Sequence, residues 1–173
     1  MAESADGEIF WHSPEFRAIF DFNSINLDKT ALKKIKKGMF NYSINHDFDY
    51  VIKSCANRDK TWINQDIIDT YNELHRMGYA HSVEVWNEGK ICGGLYGVAV
   101  GGAFFGESMF NLISDAAKAA FYFLIAHLIN KDFVLLDSQY INDFTRKLGA
   151  IEVPKRVYQK LLSEAIELDR SFV

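Results

Sequence analysis

Apolar side chains recur every three or four positions in three early segments, which is the spacing of amphipathic helices. Asp28 and Asn64 stand where two of these segments begin and can cap a helix, while Gly78 can end the last one. The predicted helices cover residues 28–37, 46–57 and 64–78. The chain before residue 28 has no clean period, which predicts loop with at most one short strand.

From residue 80 the period changes to two, which is the alternation of β-strands. Two turns, "NEGK" and Gly101-Gly102, separate three predicted strands, and a mostly apolar helix then leads to a strand that is apolar on both faces. This order predicts an α/β (α+β) fold with a GNAT-type, acetyltransferase-like mixed sheet flanked by helices. The predicted strands are 39–45, 80–86, 91–100, 103–110 and 133–139, and the later helices are 114–131, 141–150 and 154–168, the last with Pro154 at its first position.

Two acidic side chains interrupt otherwise apolar strand faces. Glu107 shares a face with Phe105 and Met109, and Asp137 shares one with Gln139, two positions along the same strand. Because an unpaired charge is costly in a core, each acid is either paired inside the core or faces a polar cleft. The pattern alone leaves both interpretations open.

Glycine is concentrated in the same sheet, with six glycines among residues 93–110. Glycine weakens a strand interior unless the strand bulges or twists there, or another group approaches its backbone closely. We therefore expect either a bulge or a ligand lying against this part of the sheet.

Composition limits the classes of protein. With 173 residues, 49% of them hydrophobic, the chain can form one compact domain and a small lobe. The net charge of −4 disfavours a generally basic nucleic-acid binder, but five of 19 basic residues fall within residues 29–37. That lysine cluster is either a solvated helix face or a phosphate-binding patch.

Two cysteines without metal-ligand spacing favour a cytoplasmic protein with no metal, and the apolar run 119–129 is too short to span a membrane.

Short motifs appear along the chain in an order and spacing typical of one family. They are "FWHSPEFRAIF" at 10–20, "TW" at 61–62, "HSVEVW" at 81–86, "GGLYGVA" at 93–99, "FGESMF" at 105–110, "AAK" at 116–118, "LLDSQ" at 135–139 and "LGAIEVP" at 148–154. Together they resemble the leucyl/phenylalanyl-tRNA–protein transferases over about residues 8–162.

The resemblance implies a reduced N-terminal lobe with a basic helix at residues 1–45 and an acetyltransferase-like catalytic domain at 46–173. It implies a bacterial, cytoplasmic enzyme that needs no cofactor. Such an enzyme moves Leu, Phe or Met from an aminoacyl-tRNA to the N-terminal α-amine of a protein that begins with Arg or Lys, which marks that protein for degradation.

The resemblance also implies roles for particular residues. Asp137 and Gln139 would be the catalytic pair that orients the attacking amine and helps remove its proton, and Glu107 would position the substrates. Trp62 would stack on the terminal adenosine. The pocket for the transferred side chain would be lined by Leu95, Phe121, Leu124 and Leu128, although core packing gives the same pattern, and the acceptor stem of the tRNA would be bound by Lys33, Lys34, Lys36 and Lys37.

Two other functions compete with this one. A CoA-dependent N-acetyltransferase needs a glycine-rich pyrophosphate loop before the long helix, and "NLISDAAK" contains no glycine. A non-catalytic or altered-specificity tRNA- or peptide-binding relative of the family is the second alternative.

Overall fold

A single seven-stranded sheet organises the computed structural model, which describes residues 12–173. Residues 1–11, which hold the start of the predicted lobe and of the first motif, lie outside the described residues. The strands are β1 Phe16–Phe20, β2 Asn41–Ile44, β3 Ala80–Asn87, β4 Lys90–Val100, β5 Ala103–Asn111, β6 Leu135–Gln139 and β7 Ile151–Pro154. The helices are α1 Lys29–Lys36, α2 Phe48–Ala56, α3 Gln65–Arg76, α4 Ala116–Asn130, α5 Asp143–Lys147 and α6 Lys155–Ile166.

The strands follow the order β2-β3-β4-β5-β6-β1-β7. All neighbours are antiparallel except β5 and β6, which α4 connects as a crossover helix. The parallel ladder is short and ends where Phe105 pairs with Asp137, although both strands continue. This mixed sheet flanked by helices confirms the predicted fold class.

Helix starts follow the capping pattern seen in the sequence. The Asp28 side chain accepts from the backbone N–H groups of Thr30 and Ala31 at α1, and Asn64 accepts from the N–H of Ile67 at α3. These bonds satisfy backbone donors that have no partner inside the helix. The caps place α1 and α3 within a residue or two of their predicted starts.

Helices cover both faces of the sheet. Leu95 and Tyr96 are neighbours on β4 and therefore point to opposite faces, and both are buried. Leu95 belongs to the core under α4, which also contains Phe121 and Leu124, whereas Tyr96 belongs to the core under α2 and α3. Two separate apolar layers thus hold the sheet, with β4 and β5 between them.

The end of the chain differs from the prediction, whereas β1 is the one short strand that was allowed for before residue 28. β7 consists of residues 151–153, to which the prediction assigned no element, and Pro154, which is the residue before α6 rather than its first position. β7 forms because β1 offers it an edge, with Arg17 opposite Val153. β1 and β2 belong to the same sheet as the later strands. The division of the chain at residue 45 stays a prediction.

Glycines in β4 make room for protein atoms. A Cβ on Gly93 would lie 2.7 Å from the Cβ of Ala116 in α4, and Gly97 stands at a register shift between β4 and β5, against the ring of Phe104. The bulge interpretation is therefore correct at Gly97. Gly106, in β5, is the glycine that borders the cavity described next.

Candidate functional site

A cavity of about 430 Å³ opens where β5 and β6 separate. One wall is apolar and includes Leu95, Phe121 and Leu124, while Trp62 stands on the side of α3. The other wall carries polar groups from the two strands, including Glu107 and Asp137. A cavity of this size with few convergent polar groups, at the carboxyl ends of parallel strands, is typical of a small-ligand site.

Asp137 is completely buried and its carboxylate is fully paired. Arg17 donates from Nε at 2.9 and 3.0 Å to the two oxygens and lies 2.9 Å from Oδ2 through Nη2. The Tyr158 hydroxyl donates to Oδ2 at 2.5 Å, and the backbone N–H of Gln139 donates to Oδ1 at 2.7 Å. A carboxylate has about four lone-pair positions, so these donors leave none for a substrate proton.

Gln139 has an unusual backbone that depends on Asp137. Its φ is +68°, a left-handed conformation that costs a non-glycine residue about 1–3 kcal/mol. The hydrogen bond from its N–H to Asp137 helps to hold that conformation. Its side-chain amide nitrogen lies 3.4 Å from the carbonyl oxygen of Gly106, across the gap between β6 and β5. The Gln139 side chain is thereby held at the edge of the cavity.

Glu107 is the half-buried acid of the site. Burial raises its pKa, and hydrogen bonds from Gln139 and Tyr71 oppose that rise by stabilising the charged form. The nearby carboxylate of Asp137 adds a further, smaller rise in the pKa of Glu107. A carboxyl group with a raised pKa in a cavity wall is suited to proton transfer near neutral pH.

The structure brings most of the predicted site residues to one place. Trp62, Leu95, Phe121 and Leu124 border the cavity with Glu107 and Asp137, and Gln139 adjoins it through Gly106. Leu128 lies one turn beyond Leu124 on α4, fully buried within the core. It does not line the cavity, because that turn packs deeper under the sheet.

The lysine cluster is divided by its contacts. Lys33, Lys36 and Lys37 are exposed and make no ion pair within residues 12–173. Lys34 is half-buried, with Nζ 2.6 Å from the Asp115 carboxylate and 3.0 Å from the Ser114 carbonyl oxygen. Lys34 therefore fastens α1 to the start of α4.

Sequence patterns did not reveal the partners of Asp137. Arg17 lies 120 positions away along the chain and reaches Asp137 only because β1 is inserted between β6 and β7. Its place in the motif "FWHSPEFRAIF" was the one available signal. Tyr158 gives no local signal, since a tyrosine on an amphipathic helix is ordinary.

The fold and its cavity define an α/β protein with a polar site beside an apolar pocket, and sequence comparison identifies its family. The family profile described as leucyl/phenylalanyl-tRNA protein transferase matches residues 19–163. The chain belongs to this family of aminoacyltransferase enzymes.

Curated relatives match almost the whole chain. The leucyl/phenylalanyl-tRNA–protein transferase of Gloeobacter violaceus is 42% identical over 99% of this chain and 89% of its own length. The protein of the same name from Chlorobium luteolum is 41% identical over 100% of this chain and 91% of its length. That of Nitrobacter winogradskyi is 44% identical over 96% of this chain and 76% of its length.

Solved structures show weaker similarity. A GCN5-related N-acetyltransferase-like protein from Streptococcus suis aligns with a TM-score of 0.40 and 14% identity, over 80% of this chain and 58% of its own. A conserved protein of unknown function from Staphylococcus epidermidis aligns with a TM-score of 0.47 and 12% identity, over 80% of this chain and 57% of its own. Within residues 12–173, no helix is long and apolar enough to cross a membrane.

Proposed function

We propose that the protein transfers Leu, Phe or Met from an aminoacyl-tRNA to the N-terminal α-amine of a protein that begins with Arg or Lys, and so marks it for degradation. One observation supports this most: Glu107 and Asp137 border one cavity, beside an apolar wall, in a chain that belongs to this family of transferases. The aminoacyl side chain would lie against Leu95, Phe121 and Leu124, and Trp62 would stack on the terminal adenosine.

The reaction needs orientation more than activation. The α-amine attacks the ester carbonyl, a C–N bond forms, the C–O bond to the ribose breaks, and the proton lost by the nitrogen is finally carried by the ribose oxygen. An α-amine has a pKa of about 7.7–8.0, so much of it arrives neutral at cellular pH. Holding the two reactants in line can lower the barrier by roughly 7–11 kcal/mol.

Each polar residue has a proposed part in that step. The Gln139 side chain orients the attacking amine, and Asp137 fixes Gln139 without exchanging a proton itself, since its lone pairs are occupied. Glu107 attracts the cationic side chain of the acceptor's N-terminal Arg or Lys, and it takes the proton that the attacking amine loses, which its raised pKa favours.

The decisive assay mixes the purified protein with Phe-tRNA and a peptide that begins with Arg. We expect a product heavier by one phenylalanine residue, and none with an N-acetylated peptide, because that peptide lacks the nucleophile. Transfer only from acetyl-CoA would instead identify an N-acetyltransferase. Tight tRNA binding without any product would identify a non-catalytic relative.

The exposed lysines at the end of α1 should contribute to tRNA binding. Changing Lys33, Lys36 and Lys37 together to glutamine is expected to raise the Kd for tRNA about tenfold or more and to reduce its salt dependence, because fewer counterions are released from phosphates. Filter binding at several salt concentrations measures both effects. The charge-matched control changes three exposed basic residues of α6 together to glutamine: Lys155, Arg156 and Lys160. An unchanged salt slope would remove this helix from the tRNA interface.

Glu107 should lower the free energy of unfolding at neutral pH, although transfer activity requires it. Burial raises the pKa of Glu107 in the folded protein, so ionisation of this carboxyl group opposes folding. The cost is absent below the usual glutamate pKa of about 4.3 and appears as the pH rises above that value. Glu107→Gln should therefore raise the free energy of unfolding at pH 7 by about 1 kcal/mol, and the gain should vanish below about pH 4. Urea unfolding at several pH values measures this, and transfer activity should fall in the same variant.

A further inference from the structure

A second cavity, of about 960 Å³, adjoins the first. It lies between α2 and the end of β5, and the two cavities share four lining residues. These are Arg58, Met109, Phe110 and Asn111. A ligand that fills the first cavity and is part of a longer polymer therefore has a continuous route into the second.

Arg58 is held at the boundary between the two cavities. Its Nε donates to the carbonyl oxygen of Cys55 at 2.8 Å, and its Nη2 donates to Ser108 Oγ at 2.9 Å and to the carbonyl oxygen of Met109 at 3.2 Å. Among residues 12–173, no oxygen accepts from its other terminal nitrogen, Nη1, and no carboxylate pairs with it. An exposed guanidinium oriented in this way, with donors to spare, is suited to bind a phosphate.

The two acidic residues that line the second cavity already have partners within the protein. Asp49 pairs with Lys53 at 2.6 Å and accepts from Asn72, and Asp47 caps α2 by accepting from the N–H of Tyr50. The positive charge of Arg58 therefore has no counterion among the described residues around it.

The second cavity also leads toward the lysine helix. Asn111 and Leu112 form its edge, and two residues further on the Ser114 carbonyl oxygen accepts from Lys34 of α1. The segment after β5 thus connects the cavity with α1. A single strand of RNA that follows positive charge from α1 to Trp62 would pass Arg58.

We infer that the second cavity binds the nucleotide that precedes the terminal adenosine of the tRNA, and that Arg58 contacts the phosphodiester between the two. This inference rests on the proposed function, because it needs the terminal adenosine beside Trp62. It adds a phosphate-binding subsite at a position that recognises RNA backbone and no particular base.

Two stable substrate mimics test the inference. One is adenosine with phenylalanine joined by an amide at the 3′ position, and the other carries in addition a cytidine linked through a 5′ phosphodiester. We expect the wild-type protein to bind the dinucleotide about tenfold more tightly than the nucleoside. Arg58→Gln should abolish that difference and leave nucleoside binding unchanged. Calorimetry gives both Kd values.

The controls separate a phosphate contact from a structural role. Lys60→Gln removes the same charge two residues away and should preserve the tenfold difference, and Arg58→Lys should retain part of it. If Arg58→Gln weakened both mimics equally, Arg58 would merely hold α2 against β5, and the inference would be wrong. It would also be wrong if the dinucleotide gained nothing, or if Arg58→Gln raised only the KM of the peptide. If neither mimic bound the wild type, the proposed function itself would fail.

Discussion

Replacing Asp137 with alanine should lower the rate of transfer about a hundredfold and the free energy of unfolding by about 3 kcal/mol. The stability loss follows because the half-buried Arg17 and the Tyr158 hydroxyl lose a shared partner inside the protein. The rate loss follows because Gln139 loses the bond that holds its left-handed backbone. Single-turnover transfer from Phe-tRNA and urea unfolding measure the two effects separately.

The kinetic constants distinguish the proposed role of Asp137, which is to position Gln139, from a merely structural role. We expect kcat to fall while the KM for Phe-tRNA changes by less than about threefold, since the apolar wall and Trp62 remain. Tyr158→Phe removes one donor and should slow transfer about fivefold, yet it should add nothing in the Asp137→Ala background, because it acts through Asp137. Asp143→Ala, an exposed aspartate on α5, is the control. Full activity of folded Asp137→Ala would refute the proposed part of this residue.

The local pattern of apolar and polar residues was sufficient to predict most of the helices and strands. Alternation along β5 and β6 predicted that Glu107 and Asp137 interrupt apolar strand faces, and the order of the elements predicted a mixed sheet with a helix between these two strands. The structure places both in one cavity wall. This worked because side-chain alternation and the crossover connection depend only on neighbouring residues and on chirality.

The pairing of Asp137 could not be predicted in the same way. It depends on β1 lying between β6 and β7, which is a contact across 120 positions of sequence, and β7 itself forms only against that strand. An acid on an apolar strand has the same pattern whether it is paired or faces solvent. The order of the strands in the sheet therefore determines which alternative applies. Asp137 is buried and paired, whereas Glu107 is half-buried beside the cavity.

The lysine cluster shows the same limitation at the surface. The sequence gives no reason to distinguish Lys34 from its neighbours Lys33, Lys36 and Lys37, but the Lys34 side chain faces Asp115, the residue before α4. Only this tertiary contact distinguishes Lys34, which holds α1 against the start of α4, from the exposed lysines that can bind phosphate.

Phe172 supports a second large prediction, on the stability of the domain. It is 2% exposed, and its ring stacks 4.4 Å from His81 and 5.1 Å from Phe104. His127 Nε2 donates to its carbonyl oxygen at 2.6 Å. Phe172→Ala should therefore lower the free energy of unfolding by about 3–5 kcal/mol, as expected when a buried phenylalanine leaves a cavity. Val173→Ala, at a position that is 66% exposed, should change it by less than about 0.5 kcal/mol.

The pH dependence of the Phe172 variant tests the reason for that loss. Burial lowers the pKa of His81 to about 4, whereas an unfolded histidine has a pKa of about 6.5. The wild type should therefore lose stability as the pH falls from about 6.5 toward 4, because the unfolded chain binds a proton that the folded protein excludes. In Phe172→Ala, water reaches His81, its pKa returns toward the usual value, and this loss should shrink. Urea unfolding between those pH values measures how the free energy of unfolding depends on pH. If that dependence is the same in Phe172→Ala as in the wild type, Phe172 does not shield His81 from water.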